Sequence, residues 1–313
     1  MKLAVAQIAP VLLDRDATVA KISSTVRDAA ASGASLVVFG EALVGGYPIW
    51  LSRTDGAQFD DADQKTLHAR YLDEGTDISA GHLAPIQDAA RGGNIAVIVG
   101  VMERPRDRGG HTLYCSRVFI DRDGTIGSVH RKLMPTHEER LSWGVGDGHG
   151  LVTHRVGDFT VGALLCWENW MPLARAALYA MGEDLHIMLW PGSLRNTQEL
   201  TPVVARESRS YVVSVSGLIR AADVPDDVPL RDRIVPTPDE IICNGGSCVA
   251  APDGSWVMEP LVDGEAVTIV DLDPAVVRAE RQNFDPAGHY SRPDVLRLHV
   301  DRTRQSTRVD DGS

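Results

Sequence analysis

Short apolar runs that alternate with helix-forming stretches along 313 residues are what most restrict how this chain can fold. Eleven strand-like runs, at 2–8, 35–39, 94–101, 112–120, 125–130, 151–156, 159–165, 185–190, 211–218, 246–251 and 265–271, are interleaved with helical periodicity near 16–32, 83–92, 170–182, 197–210 and 273–282. Such a mixture predicts an α/β architecture. The length admits two ordinary domains or one large one, and without a linker-like stretch a single domain over residues 1–300 is favoured. Residues 301–313 are polar and are expected to form a disordered tail. Ala221 to Glu240, rich in Asp and Pro, is expected to be a long surface excursion.

One position stands out within this pattern. Val161 to Leu165 reads as a buried strand that stops at the thiol of Cys166. Met171, Leu173, Ala176, Ala177 and Leu178 follow at helical spacing. Asn169 is expected to cap that helix, and Pro172 falls in its first turn, where a missing N–H is no loss. A thiol just ahead of a helix N-terminus feels the positive end of the dipole, which favours thiolate. A buried cysteine is more often a small hydrophobe, so a nucleophile needs partners elsewhere. Two other strand-like runs offer them: Ser35 to Phe39 runs into Gly40-Glu41, and Thr125 to Val129 runs into His130-Arg131-Lys132. Loops gather at strand ends in α/β folds, so Glu41, Lys132 and Cys166 are expected to meet there.

Phe39-Gly40-Glu41, His130-Arg131-Lys132-Leu133-Met134-Pro135-Thr136-His137-Glu138-Glu139-Arg140 and Cys166-Trp167-Glu168-Asn169 together resemble the three signature segments of the nitrilase superfamily, in order and separation. The resemblance runs from Lys2-Leu3-Ala4-Val5-Ala6-Gln7 to Gly288-His289-Tyr290-Ser291-Arg292-Pro293-Asp294. Cys166-Trp167-Glu168-Asn169 and the two flanking motifs are similar to the nitrilase branch rather than to the amidases. The chain departs from the family at Gly40, where proline is usual, and at Trp50, where glycine is usual; Trp50 is expected to narrow the pocket entrance.

The resemblance implies a four-layer αββα sandwich and no cofactor or metal. It implies that Cys166 is the nucleophile, Glu41 the general base, Lys132 the group that stabilises developing charge, and Glu139 the support of Lys132. The Trp167 amide is a further donor to that charge. The implied substrate is a small-molecule nitrile, converted to carboxylic acid and ammonia through a thioimidate and a thioester. Tyr47, Trp143, Trp167 and Trp170 lie in or beside these segments and are expected to line an apolar site, with Trp190 a further aromatic nearby. The family also implies a homo-oligomer, a dimer or a larger, spiral assembly.

Other signals point elsewhere more weakly. Gly144 to Gly150 lacks the strand before and helix after that a dinucleotide loop needs. Cys115, Cys166, Cys243 and Cys248 lack paired C-x-x-C spacing, which argues against zinc. His130 and His137 flank Lys132 and are candidates to touch it. A net charge of −12 without a basic cluster argues against nucleic acid. No run approaches membrane length, no signal peptide is expected, and the needed free thiol fits the cytoplasm. The rival functions are an amidase or carbamoylase, a cyanide hydratase or dihydratase, and a non-catalytic assembly protein that keeps the fold.

Overall fold

The structure is a computed structural model that describes residues 1–307. Among the described residues thirteen strands form two sheets. The first sheet contains β1 (Lys2–Gln7), β2 (Leu36–Phe39), β3 (Ala96–Glu103), β4 (Tyr114–Ile120), β5 (Ile126–Arg131) and the last strand, β13 (Ala266–Asp271), in the order β13-β1-β2-β3-β4-β5. The second contains β6 (His154–Val156), β7 (Phe159–Leu165), β8 (Leu185–Trp190), β9 (Tyr211–Ser216), β10 (Leu218–Arg220), β11 (Ile241–Ala250) and β12 (Trp256–Val262). Its order is β10-β11-β9-β8-β7-β6, with β12 beside β11. Strands β1, β2 and β3 run parallel, as do β7, β8 and β9.

Both faces of the central strands are covered, which is why their sequences are almost uninterrupted apolar runs. Along β2, Leu36 and Val38 point into the core between the sheets, whereas Val37 and Phe39 point outward under Val19, Ile22 and Val26 of the Arg15–Ala31 helix. The inner core joins Val5, Val38 and Ile98 to Val161, Leu165 and Ile187. On the far side, Met188 and Val212 are covered by Leu200 and Val204 of the Leu200–Ser208 helix, and Leu164 by Ala174 and Leu178. The layers are therefore helix, sheet, sheet and helix, as the sandwich requires.

Several local expectations change. The helix expected at 170–182 spans only Pro172–Tyr179, because a 3₁₀ turn, Cys166–Trp170, separates it from β7. Asn169 is not its cap: the side-chain amide turns back and donates to the Cys166 carbonyl at 2.8 Å. A helix at Ala62–Asp73 escaped the periodicity, since only Leu67 and Tyr71 on it are buried. The 221–240 segment is tied down rather than a free excursion: Val224, Val228, Ile234 and Val235 are buried, and Arg53 donates to Glu240 and to the Ile234 carbonyl. Within the tail, Arg304 bonds Asp147 and the Val129 carbonyl, and the Gln305 amide bonds Asp147; residues 308–313 lie outside the described residues. Among the described residues no helix is long and apolar enough to cross a membrane.

Candidate active site

Three strand ends deliver the chemistry. Beyond β2 the chain passes through Gly40, where a Cβ would lie 2.7 Å from the Gly217 amide nitrogen and 2.9 Å from the Trp190 carbonyl oxygen. No side chain fits there without a shift, so glycine closes the seam between the two sheets. The Glu41 amide then donates to that same Trp190 carbonyl at 3.0 Å. Beyond β5, Lys132 is held by its backbone, which donates to Cys115 and accepts from Gly146, both at 2.8 Å. Beyond β7, Cys166 adopts φ +46°, a left-handed conformation that residues with a Cβ seldom take and that aims a side chain out of a strand's path.

The side chains converge in a closed space. Lys132 Nζ donates to Glu41 Oε1 at 2.9 Å and to Glu139 Oε2 at 2.7 Å, and all three side chains are buried. Oxygens of Glu41 and Glu139 and the Cys166 sulfur lie within 4.8 Å of one another. A thiol and two carboxylates resemble a metal donor set, but the Lys132 ammonium already sits between the carboxylates. A cation there would meet a buried positive charge, so the arrangement does not fit a metal.

The two glutamates differ in what they have left to offer. Glu139 is saturated: Oε2 also accepts from the Thr136 amide at 2.7 Å, and Oε1 accepts from the Tyr47 hydroxyl at 2.9 Å. Glu41 has Oε2 buried with no hydrogen-bond partner among the described residues. Burial pushes the Glu41 carboxyl up to about 8, against the pull of Lys132 and with the help of Glu139. Burial also raises the Cys166 thiol, opposed by Lys132. Lys132 is driven up by Cys166, Glu41 and Glu139 although its own burial works against the charge. These groups titrate as one cluster.

Among the aromatic residues, Trp143 is buried beside the cluster: Lys132 Nζ lies 5.6 Å from its ring centre, Tyr47 packs edge-on against it, and its indole N–H donates to Tyr71. Trp167 and Trp170 are half-exposed, pack on each other, and both belong to the Cys166–Trp170 turn. Trp190 is core, its indole N–H donating to Ser214. Trp50 does not stand open at an entrance; it is 2% exposed and packs edge-on against Tyr71. His137 is exposed on Glu138, and His130 reaches Glu168 rather than Lys132. Cys115, Cys243 and Cys248 are buried free thiols. Sequence reasoning left out Tyr71 and Glu183; Glu183, His186 and Asn169, the last expected only as a helix cap, form a buried chain behind Cys166. Nothing in the local sequence of Tyr71, Glu183 or His186 distinguishes them from ordinary polar residues.

A family model described as carbon-nitrogen hydrolase matches residues 2–282. The chain belongs to that family. It is 36% identical to an aliphatic nitrilase of Sinorhizobium fredii (strain HH103) across 98% of this chain and 97% of that protein. An aliphatic nitrilase of Rhodococcus rhodochrous is 34% identical over 99% of this chain and 81% of that one. A bifunctional nitrilase/nitrile hydratase of Nicotiana tabacum is 34% identical over 95% of this chain and 84% of its own length. The fold is similar to that of a carbon-nitrogen hydrolase from Helicobacter pylori G27, with TM-score 0.68, 18% identity and coverage of 94% and 96% of the two chains. An amidase from Nesterenkonia sp. gives TM-score 0.62 at 18% identity, over 90% of this chain and 94% of that one.

Proposed function

We propose that this family member is a nitrilase that converts R–C≡N and two waters to carboxylic acid and ammonia. The observation that carries the roles is the asymmetry of the two glutamates around Lys132. Among the described residues Glu41 keeps one oxygen unpartnered and is the general base; Glu139, with both oxygens engaged, positions Lys132. Cys166 loses its proton to Glu41 as sulfur bonds to the nitrile carbon, and Glu41 passes that proton to the nitrogen to give a thioimidate. Water deprotonated by Glu41 adds to that carbon, the C–N bond breaks, and ammonia leaves a thioester. A second water releases the acid and restores the thiol. Lys132 and the Trp167 amide stabilise the charge that develops at the attacked centre. No step calls for a cofactor.

Tyr47, Trp143, Trp167 and Trp170 supply the apolar walls for the R group, which favours medium aliphatic or arylmethyl nitriles over cyanide, at roughly 0.8 kcal/mol per buried CH₂. Residues 1–300 act as one domain. The enzyme works as a homo-oligomer in the cytoplasm: Met171 and Leu173 at the start of the Pro172–Tyr179 helix are exposed apolar side chains suited to a second copy, and its free thiols suit a reducing compartment. The test follows acid, amide and ammonia on paired nitriles and amides. Faster turnover of amides than of nitriles overturns the nitrilase reading in favour of an amidase, and turnover of cyanide alone overturns it in favour of a hydratase. Light scattering that gives only a monomer of 33.9 kDa refutes the assembly.

A further inference from the structure

Glu168 lies two residues past Cys166 with its side chain fully buried, and burial of a carboxylate is unfavourable unless it is well paired. Its partners come from three places. Oε1 accepts from the Leu133 amide at 2.6 Å, Oε2 from the Leu165 amide at 2.8 Å, and the His130 ring nitrogen Nε2 reaches both oxygens, at 3.0 and 3.2 Å. Leu133 directly follows Lys132 in the first sheet's chain path, and Leu165 directly precedes Cys166 at the end of β7 in the second. A residue that only closed the Cys166–Trp170 turn would need the Leu165 amide alone. The second amide and the histidine belong to the other sheet.

We propose that Glu168 is a positioning residue, tying the backbone beside Lys132 to the backbone beside Cys166 so that ammonium and sulfur keep a fixed separation across the seam. Among the described residues no other single group bonds the backbone beside both Lys132 and Cys166. Burial works to raise the Glu168 carboxyl, yet His130 and the Leu133 and Leu165 amides hold it below the usual range. It is therefore the ionised form that makes the tie, which suits three converging donors. The other charged groups near it are Arg117, whose buried guanidinium feels Glu168, and Glu41, whose carboxyl the Glu168 charge helps to raise.

The inference rests on the nitrilase reading only for its substrate. Glu168→Gln keeps the volume but turns one acceptor into an NH₂ that faces a backbone N–H, so one end of the tie opens. A displacement of about 1 Å at reacting groups is enough to lower turnover about 10²-fold. The expected result is kcat lower by about that factor with KM little changed, together with slower alkylation of Cys166 by iodoacetamide, mapped by peptide. His130→Leu, which leaves both amide bonds, is expected to lower kcat less, and His130→Gln, which restores a donor, to recover part of that loss. These two variants decide the matter if Glu168→Gln does not fold. Normal kcat and normal alkylation in a Glu168→Gln protein that merely melts earlier would overturn the proposal, as would equal kcat in the two His130 variants. Failure of the wild type on every nitrile would sink the nitrilase reading, while the alkylation rates would still judge the tie.

Discussion

Replacing Lys132 by methionine tests the electrostatic logic of the site most directly. The ammonium is bonded at 2.9 and 2.7 Å to two carboxyl groups in a space without water access, so its loss leaves both buried without a positive partner. Removing one partner of a buried ion pair costs about 3–5 kcal/mol. The penalty has a pH signature. In the wild type Glu41 holds its proton to about 8, whereas the unfolded carboxyl ionises near 4.5, so the native state binds more protons between those values. Stability then falls as pH rises, by about 1.4 kcal/mol per pH unit for each retained proton. Lys132 pulls the Glu41 carboxyl down, so without the cation that carboxyl keeps its proton to still higher pH. From about pH 8 to about pH 9, where the wild type has released this proton and the variant has not, Lys132→Met should lose about 1.4 kcal/mol more than the wild type. Urea unfolding at both pH values measures this, and ammonia release should fall at least about 10²–10³-fold. An equal destabilisation at both pH values, or activity within tenfold of the wild type, would refute the reasoning.

Four further outcomes follow from the same geometry. Cys166→Ala should abolish turnover without unfolding, whereas Cys115→Ala, Cys243→Ala and Cys248→Ala should each keep most of it; iodoacetamide mapping that leaves Cys166 unmodified in an active sample would contradict this. Glu139→Gln should cut kcat about 10²-fold, whereas Glu138→Gln, which disturbs only an exposed contact with His137, should leave it near normal. Because Glu41 must be ionised to act as base and is raised to about 8, kcat/KM should climb with pH through that region; a flat profile between pH 6 and 9 counts against the assignment. Gly40→Ala should lower stability by about 1–3 kcal/mol, seen in thermal melting, while Gly92→Ala, where a Cβ meets nothing within 4 Å, should not.

Much of this was legible in the chain because the relevant signals are local. Glu41, Lys132 and Cys166 each end an apolar run, and a strand buried on both faces announces itself by composition alone. Glu139 was separable from Glu138 only through the resemblance; the structure supplies the reason, one buried on Lys132 and the other on the surface. What sequence could not supply was long-range partnership. Trp50 and Trp143 are both tryptophans near a motif, yet one packs under Tyr71 while the other lies against Lys132. The helix after Cys166 was expected too early because Asn169 is a good cap by type, and here its amide serves the Cys166 carbonyl instead. Glu168 was in plain view within its motif, but its ties to Leu133 and His130 span more than thirty residues of chain.

The placing of every reacting group at one rim of the sandwich limits how such a chain can change length. Successive side chains of a strand alternate between faces, so deleting one residue inside Phe159–Leu165 would carry Cys166 to the wrong side of its sheet. The same holds for β2 and β5, whose ends bear Glu41 and Lys132. At the opposite rim, the Asp121–Gly124 turn between β4 and β5 touches none of these groups, and extra residues there leave the spacing of base, ammonium and sulfur intact. Descendants of this sequence are thus free to lengthen at one end of the sheets, while at the other the count of residues is fixed by the chemistry.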